Sequence, residues 1–371
     1  MTRILYLSGS IFGGAERQLL YLVTNLDKSR YEPMVVCPED GVFPEQLRAA
    51  GIDTAIHPLP AWRKWKYLLH RYAVASRLGQ FTTERQVGLI HVADSWHNPY
   101  SARIARQCGI PTVSHVKAPI RPDQVVKYGF HDMSSIISIS EQFTPPFLAA
   151  GISPDKINVI VNCVDLCAFQ TTRADQNAHR SEFPLRRFVI GMVGRIEPFK
   201  RQKEFVEVAS HVLNMRQDVS FLIIGGTQPN VKHIAYEREL RQLISELNLA
   251  DFITVTGHRE DMPAIMQGLD LLVTLSAGSV IPEAMAAGKP VLATPVGSAT
   301  DMIDDGITGW VVPPLPIEGI AAKIVQMIQN PSLCEQMGRA ARVHAENHFS
   351  IARHVEQVQS IYDRLILEPL T

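Results

Sequence analysis

Arg195 and Lys200 stand five residues apart in GRIEPFKR, directly after an apolar run that ends at Val193. A guanidinium and an ammonium so placed would neutralise a diphosphate and stabilise it as a leaving group. Taken singly, each would read as an ordinary surface charge. A second candidate is Gly9-Ser10-Ile11-Phe12-Gly13-Gly14, which follows the apolar run Arg3 to Ser8 and leads into a helix over Ala15 to Leu26. Strand, glycine loop and helix in that order can cradle a phosphate; they can equally form a tight turn that needs positive φ and binds nothing. The loop is not G-x-G-x-x-G and has no Walker A lysine, so a nicotinamide or P-loop reading is poorly supported. The third candidate is LLVTLSAGSVIPEAMAAGKPVLAT, Leu271 to Thr294, where a helix opens at about Val280 and carries Glu283 in its first turn. That carboxylate either offsets the helix dipole, worth roughly 0.3–1 kcal/mol, or serves a ligand. The three features together make an anion site the better reading.

These residues need a scaffold that presents strand ends to a ligand. Apolar runs alternate with helical stretches from one end of the chain to the other: strands at Met34 to Cys37, Thr54 to His57, Gly88 to Val92, Pro111 to Val116, Ser134 to Ser140 and Ile157 to Val161, with helices at Pro44 to Ala50, Pro99 to Gln107 and Glu141 to Ala150. Asp165 to Arg187 is polar and aperiodic. A second alternating series begins at Phe188 and ends in helices from about Ile317 to Leu367. The expected architecture is α/β: two Rossmann-like, doubly wound parallel sheets facing across a cleft. The expected domains are 1–168, a linker 169–187, 188–350, and a helix over 351–371 that returns toward the first domain.

The formal net charge is −1, so no global field recruits nucleic acid. The five cysteines are scattered, and Cys163-x-x-x-Cys167 lacks the second pair a zinc site needs, which favours ordinary reduced thiols in the cytoplasm. No apolar segment approaches the ~18–20 residues of a membrane span. Trp62 to Tyr72 (WRKWKYLLHRY) interleaves aromatics with Arg63, Lys64, Lys66 and Arg71. It suits either a helix with its aromatics packed inward or weak contact with the anionic inner face of a membrane.

The order GGAER, VSHVKA, VNCVDL, GMVGRIEPFKRQ, VTGHREDM, PEAMAAGKPVLATPVG and DDGITGWVVPP resembles glycosyltransferase family 4. These are retaining, nucleotide-sugar-dependent enzymes of the two-domain GT-B fold. The resemblance covers roughly Arg3 to Tyr362. It implies that Gly13 and Gly14 face the donor diphosphate, that Arg195 and Lys200 bind it and assist its departure, and that Glu283 accepts hydrogen bonds from the ribose. It further implies that Gly257, His258 and Arg259 lie beside the base, that the loop amides of Ser279, Val280 and Ile281 meet the transferred sugar, and that His115 stands near that sugar as a catalytic residue. The implied donor is a UDP- or GDP-sugar, and the acceptor a hydroxyl on a glycan, lipid-linked glycan or glycolipid, as in polysaccharide biosynthesis. No metal or other cofactor is expected.

Two departures stand out. The family carries a second glutamate eight positions before the one matched by Glu283. Leu275 holds that position here, in a loop about four residues shorter than usual. The family's N-G-V-D is Asn162-Cys163-Val164-Asp165. The missing carboxylate keeps two alternatives open: a non-catalytic sugar-nucleotide-binding protein, and a GT-B isomerase acting on the sugar nucleotide itself.

Overall fold

The computed structural model describes residues 1–170, 182–183 and 185–367. Most of the expected linker, at 171–181 and 184, lies outside the described residues. The chain divides into two compact units. One holds Met1–Cys163 together with the chain from Ile351 onward, and the other runs from Val164 to Ser350.

The first unit contains a seven-stranded sheet built from β1 (Thr2–Leu7), β2 (Tyr31–Cys37), β3 (Asp53–Ile56), β4 (Val87–Val92), β5 (Thr112–Val116), β6 (Ser135–Ser138) and β7 (Ile157–Val159). Their order is β3-β2-β1-β4-β5-β6-β7, and every pairing is parallel. The second unit has β8 (Phe188–Val193), β9 (Val219–Ile224), β10 (Ile253–Gly257), β11 (Leu271–Thr274), β12 (Val291–Ala293) and β13 (Gly309–Val311). Their order is β10-β9-β8-β11-β12-β13, again parallel throughout. Runs such as LIHV, VIGMV and LLVT lack polar alternation because helices cover both faces of the sheet; β9 and β11 are buried along their whole length.

This order decides where a ligand can sit. In each sheet the winding reverses between two neighbouring strands, β1 and β4 in the first, β8 and β11 in the second. The loops at their carboxyl ends diverge there and leave a crevice. The glycine loop follows β1. The Arg195–Lys200 loop follows β8, and the loop leading to Glu283 follows β11.

The last helix, Ile351–Leu367, belongs to the first unit. Its Val355, Val358, Ile361 and Tyr362 join Ile4, Leu22, Leu89 and Val113 in one core. Two stretches differ from their sequence reading. The single helix expected over Glu141 to Ala150 is a 3-10 turn, Glu141–Phe143, followed by a short helix, Pro145–Ala149, because Pro145 and Pro146 have no amide hydrogen to continue the first turn. Trp62 to Tyr72 is not one surface helix either. A 3-10 turn covers Trp65–Tyr67 and the helix runs over Leu68–Glu84. Trp62 turns inward, its ring 4.8 Å from that of Tyr100 and 5.4 Å from that of Tyr72, while Trp65 and Leu69 are largely exposed, at 84% and 85%, and Tyr72 less so, at 39%. Among the described residues no helix is long and apolar enough to cross a membrane.

Candidate functional site

In the second unit the Arg195–Lys200 loop is fixed from below. Ile196 is buried in the core of that unit, and its amide donates to the Gly226 carbonyl at 3.0 Å. Gln202, fully buried at the start of the helix Gln202–Met215, donates to the Arg195 carbonyl at 2.8 Å. The neighbouring strand ends crowd against the loop. Gly225, at φ +149°, lies so close that a Cβ there would collide with the Gly194 carbonyl oxygen, and its amide donates to the Gly257 carbonyl at 3.0 Å. Glycine is required where three backbones meet in this way.

The loop presents its two cations differently. Arg195 is half exposed, and its guanidinium pairs with Glu197 at 3.2 Å. Glu197 is nearly buried, at 12%, and its other oxygen faces His233 Nε2 at 3.7 Å. Lys200 instead lays its alkyl chain across Gly194, where a Cβ would sit 3.0–3.3 Å from it. Burial lowers the Lys200 pKa below the ordinary lysine value; Glu197 opposes that shift and Arg195 adds to it. A part-buried cation beside a second cation is a site that gains from an arriving anion. Glu197 and His233 were not singled out in the sequence. The R-x-E spacing in the same loop could have indicated Glu197, whereas His233 comes from a helix start, Val231–Glu246, remote in sequence.

Across the switch point, β11 ends at Thr274 and the helix covers Ile281–Ala286, with Val280 at its cap. The turn between them is tight: Ile281 N–H donates to the Gly278 carbonyl at 3.1 Å, and a Cβ at Gly278 would collide with the Ile281 side chain. Ser279 is exposed, Val280 and Glu283 are half-buried, and Ile281 is fully buried; the amides of Ser279 and Ile281, expected to meet the sugar, are taken by the Ala277 and Gly278 carbonyls, which leaves that of Val280. Gly288, at φ +69°, ends the helix, with Lys289 N–H donating to the Ala284 carbonyl at 2.9 Å. Leu275 is 1% exposed and part of the core. The position that carries a carboxylate in the family pattern is therefore a packing position here. Arg201, held at φ +61°, directs a guanidinium nitrogen to the Leu275 carbonyl at 3.5 Å while bonding Glu204 at 3.0 Å.

After β10, Gly257 adopts φ +74° and His258 is exposed. Arg259 is clamped by Asp261 at 2.7–2.8 Å and by both oxygens of Glu182. Its guanidinium is thus committed to two carboxylates, which raise its pKa further.

In the first unit Gly13 caps the helix Gly14–Asn25 with no side-chain cap. The carboxylate of Glu16 lies over the glycine loop, 3.2 Å from where a Gly13 Cβ would be and 3.7 Å from a Gly9 Cβ. Burial raises the Glu16 pKa, against backbone hydrogen bonds from its own amide and from Gly13 and the charge of Lys117. The loop thus holds an anion from its own chain. His115, on β5, is buried between His91 and His354, with ring centroids 5.5 Å and 6.3 Å away. Burial drives the pKa of His91 down to about 3, that of His354 to about 4 and that of His115 well below its ordinary value; Lys117 adds to each. Lys117 is itself lowered by burial to about 8. Nε2 of each histidine has no hydrogen-bond partner in the protein. His115 is therefore a neutral imidazole with one ring nitrogen still to be satisfied.

Two family models match consecutive parts of the chain: a glycosyl transferase 4-like domain over residues 13–163 and a group 1 glycosyl transferase domain over residues 174–344. The chain belongs to the family 4-like glycosyltransferases. Similar proteins include the Escherichia coli UDP-Gal:alpha-D-GlcNAc-diphosphoundecaprenol alpha-1,3-galactosyltransferase, 22% identical over 96% of this chain and 95% of that one. The alpha-D-kanosaminyltransferase of Streptomyces kanamyceticus is 29% identical, but the match spans only about half of each protein, 53% of this chain and 52% of the relative. Among solved structures, Anabaena Alr3699/HepE in complex with UDP superposes with a TM-score of 0.87 at 22% identity, covering 98% of this chain and all of that one. That likeness establishes the GT-B fold. In this glycosyltransferase Arg195, Lys200 and Glu283 share the second unit, on the loops that flank the β8/β11 switch point, with Gly257, His258 and Arg259 two strands away. Gly13, Gly14 and His115 belong to the first.

Proposed function

We propose that the protein is a retaining glycosyltransferase that moves a sugar from a UDP- or GDP-linked donor to a hydroxyl of a glycan or lipid-linked acceptor. The reading is carried by the pair of cations on the loop after β8, one half exposed and one part-buried. When the bond between the sugar C1 and the diphosphate oxygen breaks, charge builds on that oxygen, and Arg195 and Lys200 offset it. The acceptor oxygen bonds C1 on the face the phosphate leaves, and its proton passes to the departing phosphate oxygen. Glu283 accepts from the ribose hydroxyls. Named relatives and neighbours that act on or bind UDP-linked sugars support the donor class.

Arg259 calls for a change to the expected base contact. With its guanidinium held by Asp261 and Glu182, it shapes the segment, and Gly257 and His258 are left to meet the base.

The core position of Leu275 has a consequence for the donor. A sugar hydroxyl that meets no carboxylate forgoes a charged hydrogen bond worth ~1.5–3 kcal/mol. Free nucleoside diphosphate is therefore expected to bind within tenfold of the sugar nucleotide, and Glu283→Gln to weaken both equally. Titration calorimetry on UDP and UDP-glucose, and on GDP and GDP-mannose, tests this. A sugar contribution above tenfold, about 1.4 kcal/mol, contradicts it.

The exposed Trp65 and Leu69, with Lys64 and Lys66 beside them, fit weak contact with an anionic bilayer, the aromatic at headgroup depth. Liposome flotation should show salt-sensitive binding that is lost on changing Trp65 and Leu69 to Ser. Equal flotation of variant and wild type, or none by either, removes the membrane contact.

A further inference from the structure

A cavity of about 440 Å³ lies in the first unit at the carboxyl end of β4, beside the β1/β4 switch point and separate from the glycine loop. Three elements supply its walls. Trp62, Arg63 and Lys64 come from the connection after β3, Trp96 and His97 from the turn after β4, and Tyr128 from the end of the helix Pro122–Lys127. Asp94 fixes the β4 turn by accepting from the Trp96 amide at 3.2 Å. The Arg63 guanidinium lies against two rings that pack edge to face, 4.8 Å from the centre of Trp96 and 4.2 Å from that of Tyr128, and it donates to the Tyr128 hydroxyl.

Neither Arg63 nor Lys64 has a carboxylate partner among the described residues, and the Arg63 guanidinium keeps N–H donors beyond the one on Tyr128. His97, nine-tenths buried, lines the same cavity with Nδ1 unpartnered. Trp96 remains 55% exposed at the mouth, a flat apolar face of the kind that covers the C–H surface of a sugar ring. An apolar, aromatic cavity with a few convergent polar groups is the usual form of a small-molecule site.

We infer that this cavity binds a sugar unit bearing an anionic group, a carboxylate or a phosphate, on the acceptor of the transfer reaction. The inference rests on the glycosyltransferase reading and adds the chemical class of the acceptor. The anion pairs with Arg63 and Lys64, the ring lies against Trp96, and His97 Nδ1 takes a hydroxyl or the anion itself. Trp65 and Leu69 lie outside the cavity and take no part.

The test uses the full chain saturated with UDP, so that the nucleotide site is closed, and ligand-observed NMR with four probes, saturation transfer for the sugars and 31P line broadening for inorganic phosphate. Glucuronate and glucose 6-phosphate carry the two anions on a sugar; glucose and inorganic phosphate carry one feature each. At least one anionic sugar should bind at least tenfold more tightly than glucose or phosphate, and whichever it is identifies the anion. Arg63→Gln and Trp96→Ala should each weaken it at least tenfold, and Trp65→Ser should leave it unchanged. Circular dichroism spectra matching wild type would show that both cavity variants fold; as a milder second change, Trp96→Phe should retain most of the binding. Binding of neither anionic sugar, equal binding of glucose, or undiminished binding by folded Arg63→Gln overturns the proposal. Transferase failure is read separately: a donor that is never turned over while glucuronate binds sinks the enzyme reading alone, and a donor turned over without anionic-sugar binding sinks this one alone.

Discussion

Arg195→Ala and Lys200→Ala should each lower turnover by ~2–4 kcal/mol of transition-state stabilisation, roughly 30- to 1,000-fold, while both proteins stay folded. The two should differ in kind. Arg195 is half exposed and its carbonyl, not its side chain, is held by Gln202, so its truncation leaves the loop in place and frees Glu197. Lys200 packs its alkyl chain over Gly194, and its truncation opens a gap at the loop base, adding a small loss of stability. Because burial lowers the Lys200 pKa, wild-type turnover should fall on the alkaline side below the ordinary lysine range, and Lys200→Arg should move that limb upward. Steady-state rates across pH for the three variants check this. Rates within threefold of wild type in both alanine variants would place the leaving-group site elsewhere.

The second large effect is on stability in acid. His91, His115 and His354 stay neutral in the folded protein, while in the unfolded chain they titrate near the ordinary histidine value of about 6.5. Between roughly pH 6.5 and the depressed native values, the unfolded state binds more protons than the native state, so stability rises with pH and is lost as pH falls. The groups facing the cluster do not reverse this sign. Lys117 repels a second positive charge, and Tyr6 and Tyr362 are pushed up and remain neutral. From pH 7 to pH 5, three such sites together would remove on the order of 5 kcal/mol, comparable with the whole stability of many domains. Tyr362 ties the last helix to this cluster by bonding His91 Nδ1 at 2.6 Å and Tyr6 at 3.0 Å, and His354 Nδ1 donates to the Val161 carbonyl at 3.1 Å. Detachment of the helix Ile351–Leu367 should therefore accompany the loss. Urea titrations at pH 7 and 5 on wild type and on His91→Gln/His354→Gln measure it; the double variant should lose well over half of the pH dependence. An unchanged dependence would show that other groups control acid stability.

The two parallel sheets were legible because most of their strands are rich in apolar residues and are separated by amphipathic stretches. The site loops were legible for a related reason: GRIEPFKR and GSVIPEAM break off sharply from such runs. What the sequence hides is long-range. That Glu197 is steadied by His233, that Glu16 folds back over the glycine loop, and that His115 sits in a cluster completed by a histidine from the last helix all depend on residues brought together by the crossovers. Aromatic and basic composition at Trp62 to Tyr72 was equally blind to direction. Membrane contact and inward packing use the same residues, and only the structure shows Trp62 and Arg63 turned to a cavity and Trp65 turned out. Likewise Leu275 reads as a lost carboxylate in the sequence and as a core side chain in the fold.

The central claim, that the second unit holds a nucleotide sugar and breaks its C1–oxygen bond, is tested most directly by incubating the protein with UDP- and GDP-sugars alone and following the sugar by proton NMR. The account predicts slow release of free sugar from one donor, appearing first as the anomer present in that donor and slowed roughly 30-fold or more in Lys200→Ala. An epimerised sugar nucleotide, or donors that bind and remain intact through prolonged incubation, would contradict it.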